Sequence, residues 1–452
     1  MATGNLKSLF EQRIANLTSP LERFIRHQAT AGILLITLSL ASLLLANTPA
    51  HIFADTLSSS KLGVIYGGKQ FALSINDWVS QGLMAFFFLL TGLEIKREIL
   101  AGHLQNKKEV LLLCCAALGG ILVPALFYYG LTHNGEGHHG WAIPTATDTA
   151  FAVCVLALLA TRVSIGLTVF LTALAIFDDI GAIAIISVFY AHDLNLFALV
   201  IALLIFFLLL LGNRSGIRSG WYFGIMGALL WLFIFKGGIH PTFAGLMLAT
   251  TIPARTVMSQ AGFITSIHKL ILSFEQKQDS NSSMLGSRGK HSIVTDIGQS
   301  VREASTPLQR WEASLLMPIS ILILPLFAFL NAGFSLSSEN FVQGMHSPVT
   351  LGIILGLVIG KPVGITLFSF LAIKISMGKL PEGVTLKEIA GAGMLAGIGF
   401  TMSIFFTTLS FPDQPELVEQ AKLGIFISSL VSAVAGCAWI YFLSLRRHNS
   451  DT

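Results

Sequence analysis

Four ionisable residues stand inside stretches of the chain that otherwise carry no charge: Asp148, Asp178, Asp179 and Lys361. Each costs about 3 kcal/mol at the centre of a bilayer on insertion scales, so each needs compensation. One acid and one base can form an ion pair that merely locks two helices together. Three acids against one base leave an excess of carboxylate, which in an apolar setting calls for a cation or a proton. An ion pathway is therefore the better reading of the set. Asp178 and Asp179 are neighbours, and successive positions on a helix point about 100° apart. One of them can meet Lys361 while the other faces a water-filled cavity.

The elements that carry these residues are membrane spans. Of 452 residues, 53% are apolar and 12% charged, about half the usual charged share, which excludes a water-soluble globule. The apolar residues cluster in stretches long enough to cross about 30 Å of hydrocarbon, the mark of an all-α polytopic membrane protein. Twelve spans are expected, at roughly 31–47, 78–93, 111–130, 142–160, 163–191, 194–211, 221–235, 239–252, 313–334, 348–373, 389–410 and 423–445. With that count, 23 of the 28 Lys and Arg residues fall on one side, four on the other, and Lys361 within a span. Basic loops stay in the cytoplasm, so both termini are placed there. Fusing the seventh and eighth spans would put the basic 253–312 loop outside. The charged lead before the first span favours a retained anchor over a cleaved signal.

The organisation that follows is a cytoplasmic tail (1–30), a twelve-helix transporter domain (31–445) and a short cytoplasmic tail (446–452). Within it lie an external loop (48–77) and a long cytoplasmic loop (253–312). Net charge is only +4 and is spread over short loops, so nucleic acid is not an expected partner. Cys114, Cys115, Cys154 and Cys437 all lie in apolar stretches, without metal-ligand spacing. Residues 62–75 alternate around Gly67-Gly68, the pattern of a β-hairpin, and an isolated hairpin invites pairing with something else. The Ser-, Gln- and Asp-rich stretch 275–306 shows little apolar periodicity and reads as a flexible insertion without chemistry.

The fourth span contains Pro144 and three threonines before and after Asp148; the eleventh contains Gly391, Gly393, Gly397 and Gly399. Any one of these glycines could serve close helix packing. Two interruptions in corresponding places of spans 3-4-5 and 10-11-12 point instead to inverted repeats with discontinuous, crossing helices. Such helices leave positive N-termini and negative C-termini at mid-membrane. Asp148 and Lys361 are placed to neutralise those ends.

These residues resemble the NhaA-type bacterial sodium/proton antiporters. The resemblance rests on Gly92 to Glu98, Pro144 to Phe151, Phe177 to Gly181, Gly238 to Gly245, Leu324 to Gly333, Gly360-Lys361-Pro362 and Gly399 to Ile404, in order along the chain. It implies electrogenic exchange of cytoplasmic Na⁺ or Li⁺ for external protons, two per cation, switched on at alkaline pH in the bacterial inner membrane. It implies Asp178 and Asp179 as carriers of cation and proton, with Thr147 and Asp148 beside them and Lys361 near Asp178. A pH sensor of Glu94, Arg97, Glu98, His240, Arg310 and Glu312 is expected, and a homodimer joined through the 62–75 hairpin. No cofactor is expected beyond the transported ions, and no enzyme activity. The chain departs from the family pattern in the insertion after residue 255, in Pro241 after His240, and in matching the cluster before the ninth span only at Arg310 and Glu312.

Two other classes share part of this pattern. An intramembrane aspartyl protease needs its two aspartates on separate helices, whereas Asp178 and Asp179 are adjacent. A sodium-coupled solute symporter of the same broken-helix architecture remains the alternative, but it would need a polar pocket for its solute. The intramembrane polar groups are mostly carboxylate, threonine and lysine, which suit bare ions.

Overall fold

The computed structural model of the protein describes residues 20–66, 69–101, 107–159, 163–191, 193–276, 288–336, 338–381 and 383–450. The chain begins with α1 (Pro20–Ala46), α2 (His51–Ser59), the strands β1 (Lys61–Tyr66) and β2 (Lys69–Ser74), and α3 (Met84–Ala101). It continues through α4 (Lys107–Thr132), α5 (Thr149–Ala157), α6 (Ile165–Phe189), α7 (Leu196–Arg214), α8 (Gly220–Lys236) and α9 (Phe243–Thr251). Two further helices, α10 (Gln260–Gln276) and α11 (Arg288–Ala304), precede α12 (Pro307–Pro318), α13 (Leu324–Asn331), α14 (Pro348–Leu355) and α15 (Lys361–Lys374). The last three are α16 (Leu386–Ala396), α17 (Phe400–Ser410) and α18 (Pro415–Ser450).

Seven described helices are long and apolar enough to cross a membrane, nine if each of two bent pairs is one span. The bent pairs are the 3₁₀ helix Glu136–Thr145 with α5, at 44°, and α16 with α17, at 52°. These are the fourth and eleventh stretches, where interruption was expected. At 1.5 Å per residue, the nine residues of α9 reach only about 14 Å, so the eighth expected span does not cross by its own helix length.

Prolines shape two of the long helices. The turns Ile319–Ile323 and Gly356–Gly360 are π-helical and stand just before Pro325 and Pro362. A proline ring clashes with the carbonyl four residues back and offers no N–H. A locally widened turn accommodates both defects without ending the helix.

Two compact units divide the chain: residues 1–87, 101–192 and 318–452 form one, and 88–100 with 193–317 the other. In the first, α4 and α15 pack backbone to backbone. A Cβ on Gly364 would collide with the Gly119 carbonyl, one on Gly360 would lie 2.9 Å from Pro124 Cα, and one on Gly356 2.7 Å from Pro144 Cβ. The Gly356-Gly360-Gly364 stripe thus brings Lys361 in close to α4. The hairpin forms with the register Lys61↔Ser74 to Tyr66↔Lys69; Gly67 and Gly68, expected as its turn, lie outside the described residues. It is rooted by the Ser74–Asp77 capping box and by Trp78 Nε1 donating to Leu62 O at 2.8 Å.

The second unit has its own core, with Leu89, Leu93, Leu209, Phe223, Leu230, Leu248 and Ile252 among its buried residues. The stretch 275–306 was expected to be flexible, but α11 occupies Arg288–Ala304 and pairs with α10. Ile293, Ile297, Ser300 and Ala304 recur at helical spacing and are the protected positions. With Val294 and Val301 beside them the isoleucines form an amphipathic stripe, which the Ser-, Gln- and Asp-rich composition of the stretch obscures. Residues 277–287 of that stretch lie outside the described residues.

Candidate functional site

Lys361 opens α15 directly after the π-turn, and its side chain is wholly buried. Its Nζ donates to Asp178 Oδ2 at 2.6 Å and to Thr147 Oγ1 at 2.8 Å. The Thr147 hydroxyl lies 2.8 Å from Asp178 Oδ2 and 2.9 Å from Ala396 O. A hydroxyl has one proton, so it can donate to the carboxylate or to the carbonyl but not to both. Ala396 is the last residue of α16, so that carbonyl belongs to the negative end of a half-helix. Lys361 therefore reaches that end only through Thr147.

Asp148 performs the opposite task. It is the N-cap of α5, where Oδ1 accepts from Phe151 N at 3.1 Å. Its Oδ2 accepts from Thr401 N at 3.0 Å and from Thr401 Oγ1 at 2.5 Å, at the first turn of α17. One carboxylate thus meets the positive ends of two half-helices. The Asp148 N–H also donates to Ile398 O in the eleventh-span break, at 2.7 Å. Asp148 and Asp178 are buried, as is Asp179 one position further along α6. Asp178 Oδ1 is buried without a hydrogen-bond partner. A buried carboxylate oxygen left open in this way has room in its coordination for a proton or a hard cation.

Thr147, Asp148, Asp178 and Lys361 are therefore brought together, with Asp179 on the adjoining face of α6. Thr401, two residues past the last of the eleventh-span glycines and not among the expected site residues, holds Asp148. The signal was available: a hydroxyl residue just after a break stands where an N-terminal helix turn needs its anion fixed.

The expected sensor residues separate. Arg97 pairs with Glu98 at 3.0 Å and with Glu312, and Glu94 lies within electrostatic reach of Arg97, Glu98 and Glu312. Arg310 instead donates to Arg302 O at the end of α11, at 2.9 Å. His240 Nδ1 meets Thr242 Oγ1 at 2.7 Å. Lys96, counted from sequence only as a loop charge, donates to Thr250 O at 2.7 Å and Ile252 O at 2.5 Å, closing the negative end of α9.

Residues 22–440 match the family described as Na⁺/H⁺ antiporter 1. Over 435 residues the chain is 42% identical to the Na⁺/H⁺ antiporter NhaA 1 of Saccharophagus degradans, covering 96% of this chain and 94% of that protein. It is 39% identical over 440 residues to the Na⁺/H⁺ antiporter NhaA of Sulfurimonas denitrificans, covering 96% and 98%. It is 40% identical over 435 residues to the Na⁺/H⁺ antiporter NhaA of Syntrophobacter fumaroxidans, covering 96% and 92%.

Proposed function

The chain belongs to the Na⁺/H⁺ antiporter 1 family, and we propose that it exchanges Na⁺ or Li⁺ from the cytoplasm for external protons at Asp178 and Asp179. The exchange is electrogenic, two protons per cation, and turned on at alkaline pH by Glu94, Arg97, Glu98, His240, Arg310 and Glu312, of which Arg97 pairs with Glu98 and Glu312. Twelve spans with both termini in the cytoplasm of a bacterial inner membrane carry it, as a homodimer joined through the 62–75 hairpin.

The observation that carries this reading is the arrangement at Asp178: one oxygen held by Lys361 and Thr147, the other open. Na⁺ prefers hard oxygen donors, and the carboxylates of Asp178 and Asp179 with the Thr147 hydroxyl supply them. A proton binds the same carboxylate oxygens. Cation and proton then compete for the same lone pairs. Na⁺ arriving at Asp178 displaces the Lys361 ammonium, whose next partner is Thr147 Oγ1 and, beyond it, the α16 carbonyl end. Asp148, which stands beside the carriers, fixes the two half-helix N-termini. If the empty, charged site cannot change its access between the two sides, every cycle swaps one ligand for the other, and the outcome is antiport. The relatives above are named antiporters, and the symporter alternative has no observation in its favour.

The test is a ΔpH assay in everted vesicles with and without Na⁺. Wild-type protein should collapse the gradient on adding Na⁺. Asp179→Asn, which keeps the shape and removes the charge, should not. Near-normal exchange by a well-inserted Asp179→Asn protein would sink the shared-site reading.

A further inference from the structure

The helical hairpin α10–α11 has a second face that nothing among the described residues covers. The two helices are antiparallel: Ser266 Oγ meets Ser300 Oγ at 3.3 Å, and the N–H groups of Val257 and Met258 reach back to Glu303 O. Phe263, Ile267, Leu270 and Phe274 of α10 face Ile293, Ile297 and Ser300 of α11. At 100° per residue, Ile264 and Ile271 fall about 90° to one side of that contact on α10, and Val294 and Val301 fall about 90° to one side on α11. Because the helices run in opposite directions, these are the same side of the hairpin. The four are 60%, 46%, 44% and 50% exposed. The other flank carries Lys269, Ser273, Asp296, Gln299 and Glu303.

We infer that the Ile264–Ile271–Val294–Val301 flank lies in the cytoplasmic interface of the bilayer, with the hairpin flat on the membrane that the same chain spans. Three observations select the lipid surface as occupant. Both ends of the hairpin are tied at the membrane ends of spans: Leu308 N donates to Pro253 O at 3.1 Å, and Arg218 Nη2 to Thr256 O at 3.3 Å. Arg218 stands three residues before Trp221, which is 82% exposed at the start of α8, where an aromatic ring marks the headgroup level. Val257, next in the chain to Thr256, is 60% exposed. Finally, α11 keeps both of its acids, Asp296 and Glu303, on the far flank, away from the negative inner leaflet. The remaining acid of the pair, Glu275, sits at the distal end of α10. An apolar face of this kind, with polar groups opposite, is the pattern of an interfacial amphipathic element.

The test places an environment-sensitive fluorophore at Ile264→Cys, Val294→Cys or Gln299→Cys, singly, in protein whose four native cysteines are replaced by alanine. Each protein is reconstituted into phosphatidylethanolamine and phosphatidylglycerol vesicles, with and without lipid spin-labelled near the headgroup. The probes at 264 and 294 should emit at shorter wavelength and be quenched by the spin label, while the probe at 299 stays water-like and unquenched. A second protein with Ile264→Asp and Val294→Asp, carrying the probe at Val301→Cys, should lose the quenching that Val301→Cys alone shows. Equal behaviour at 294 and 299 overturns the proposal. So does a shielded 294 probe that spin-labelled lipid leaves unquenched, since the flank would then be covered by protein, whether a second copy or another partner.

Discussion

Replacing Lys361 and Asp178 separately and together tests whether their contact is an energetic pair. In Lys361→Met the thioether fills most of the lysine stem's volume but leaves Asp178 without its cation. In Asp178→Asn the amide keeps the carboxylate's shape but leaves Lys361 without its anion. Two unit charges 2.6 Å apart attract by about 6 kcal/mol at an effective dielectric of 20. Both side chains are wholly buried, and desolvation cancels much of that gain. Breaking a buried pair from one side costs about 3–5 kcal/mol, because the remaining charge is stranded. Each single substitution should therefore destabilise by that amount, while the double substitution, with no stranded charge, should cost far less than the sum. The coupling should reach about 3 kcal/mol, at the upper end for residues in contact. Chemical unfolding of the purified protein in mixed micelles, at one pH, reads all four corners of the cycle. Costs that add to within about 0.5 kcal/mol would refute the pair.

Other perturbations follow from the same geometry. Thr401→Val removes the hydroxyl bond to the Asp148 carboxylate but keeps the backbone one, and should cost about 1.5–3 kcal/mol in the same assay, with Thr401→Ser restoring most of it. Gly364→Ala drives a methyl against the Gly119 carbonyl and should cost about 1–3 kcal/mol, together with lowered Na⁺-dependent exchange as Lys361 shifts. Glu312→Gln removes one partner of Arg97 and should displace the pH-activation profile of exchange; an unmoved profile with an altered maximal rate would mean the cluster is ordinary loop charge. Deleting residues 62–75 should leave transport intact and shift crosslinking toward monomer, an outcome that an unchanged dimer would contradict.

Charge placement made much of the site legible. Asp148, Asp178, Asp179 and Lys361 were conspicuous because apolar spans tolerate ionisable groups only with compensation, and the breaks near Pro144 and Gly397 were visible as helix-breaking residues in apolar stretches. The Gly67-Gly68 turn announced a hairpin, and its strands form on either side. Other features had no such signal. Hydropathy is blind to helical register, so the π-turns before Pro325 and Pro362 went unseen, as did the glycine stripe that seats Lys361 on α4. Lys96 looked like a loop charge, because a lysine closing a helix end and one facing water read alike in sequence. The α11 helix went unseen because its apolar stripe, Ile293, Val294, Ile297 and Val301, is set in a strongly polar stretch. The eighth span, only nine helical residues long, shows why a basic-residue census and a helix-length test count spans differently.

The central claim, that Na⁺ and protons occupy the same carboxylates, is tested most directly by counting protons released when Na⁺ binds to the purified protein. Calorimetric titrations in buffers of different ionisation enthalpy separate proton release from binding heat. Release should be measurable with wild-type protein, rising toward two protons per Na⁺ as the pH is lowered, and should disappear with binding itself in Asp179→Asn. Na⁺ binding that releases no proton at any pH would contradict the shared site.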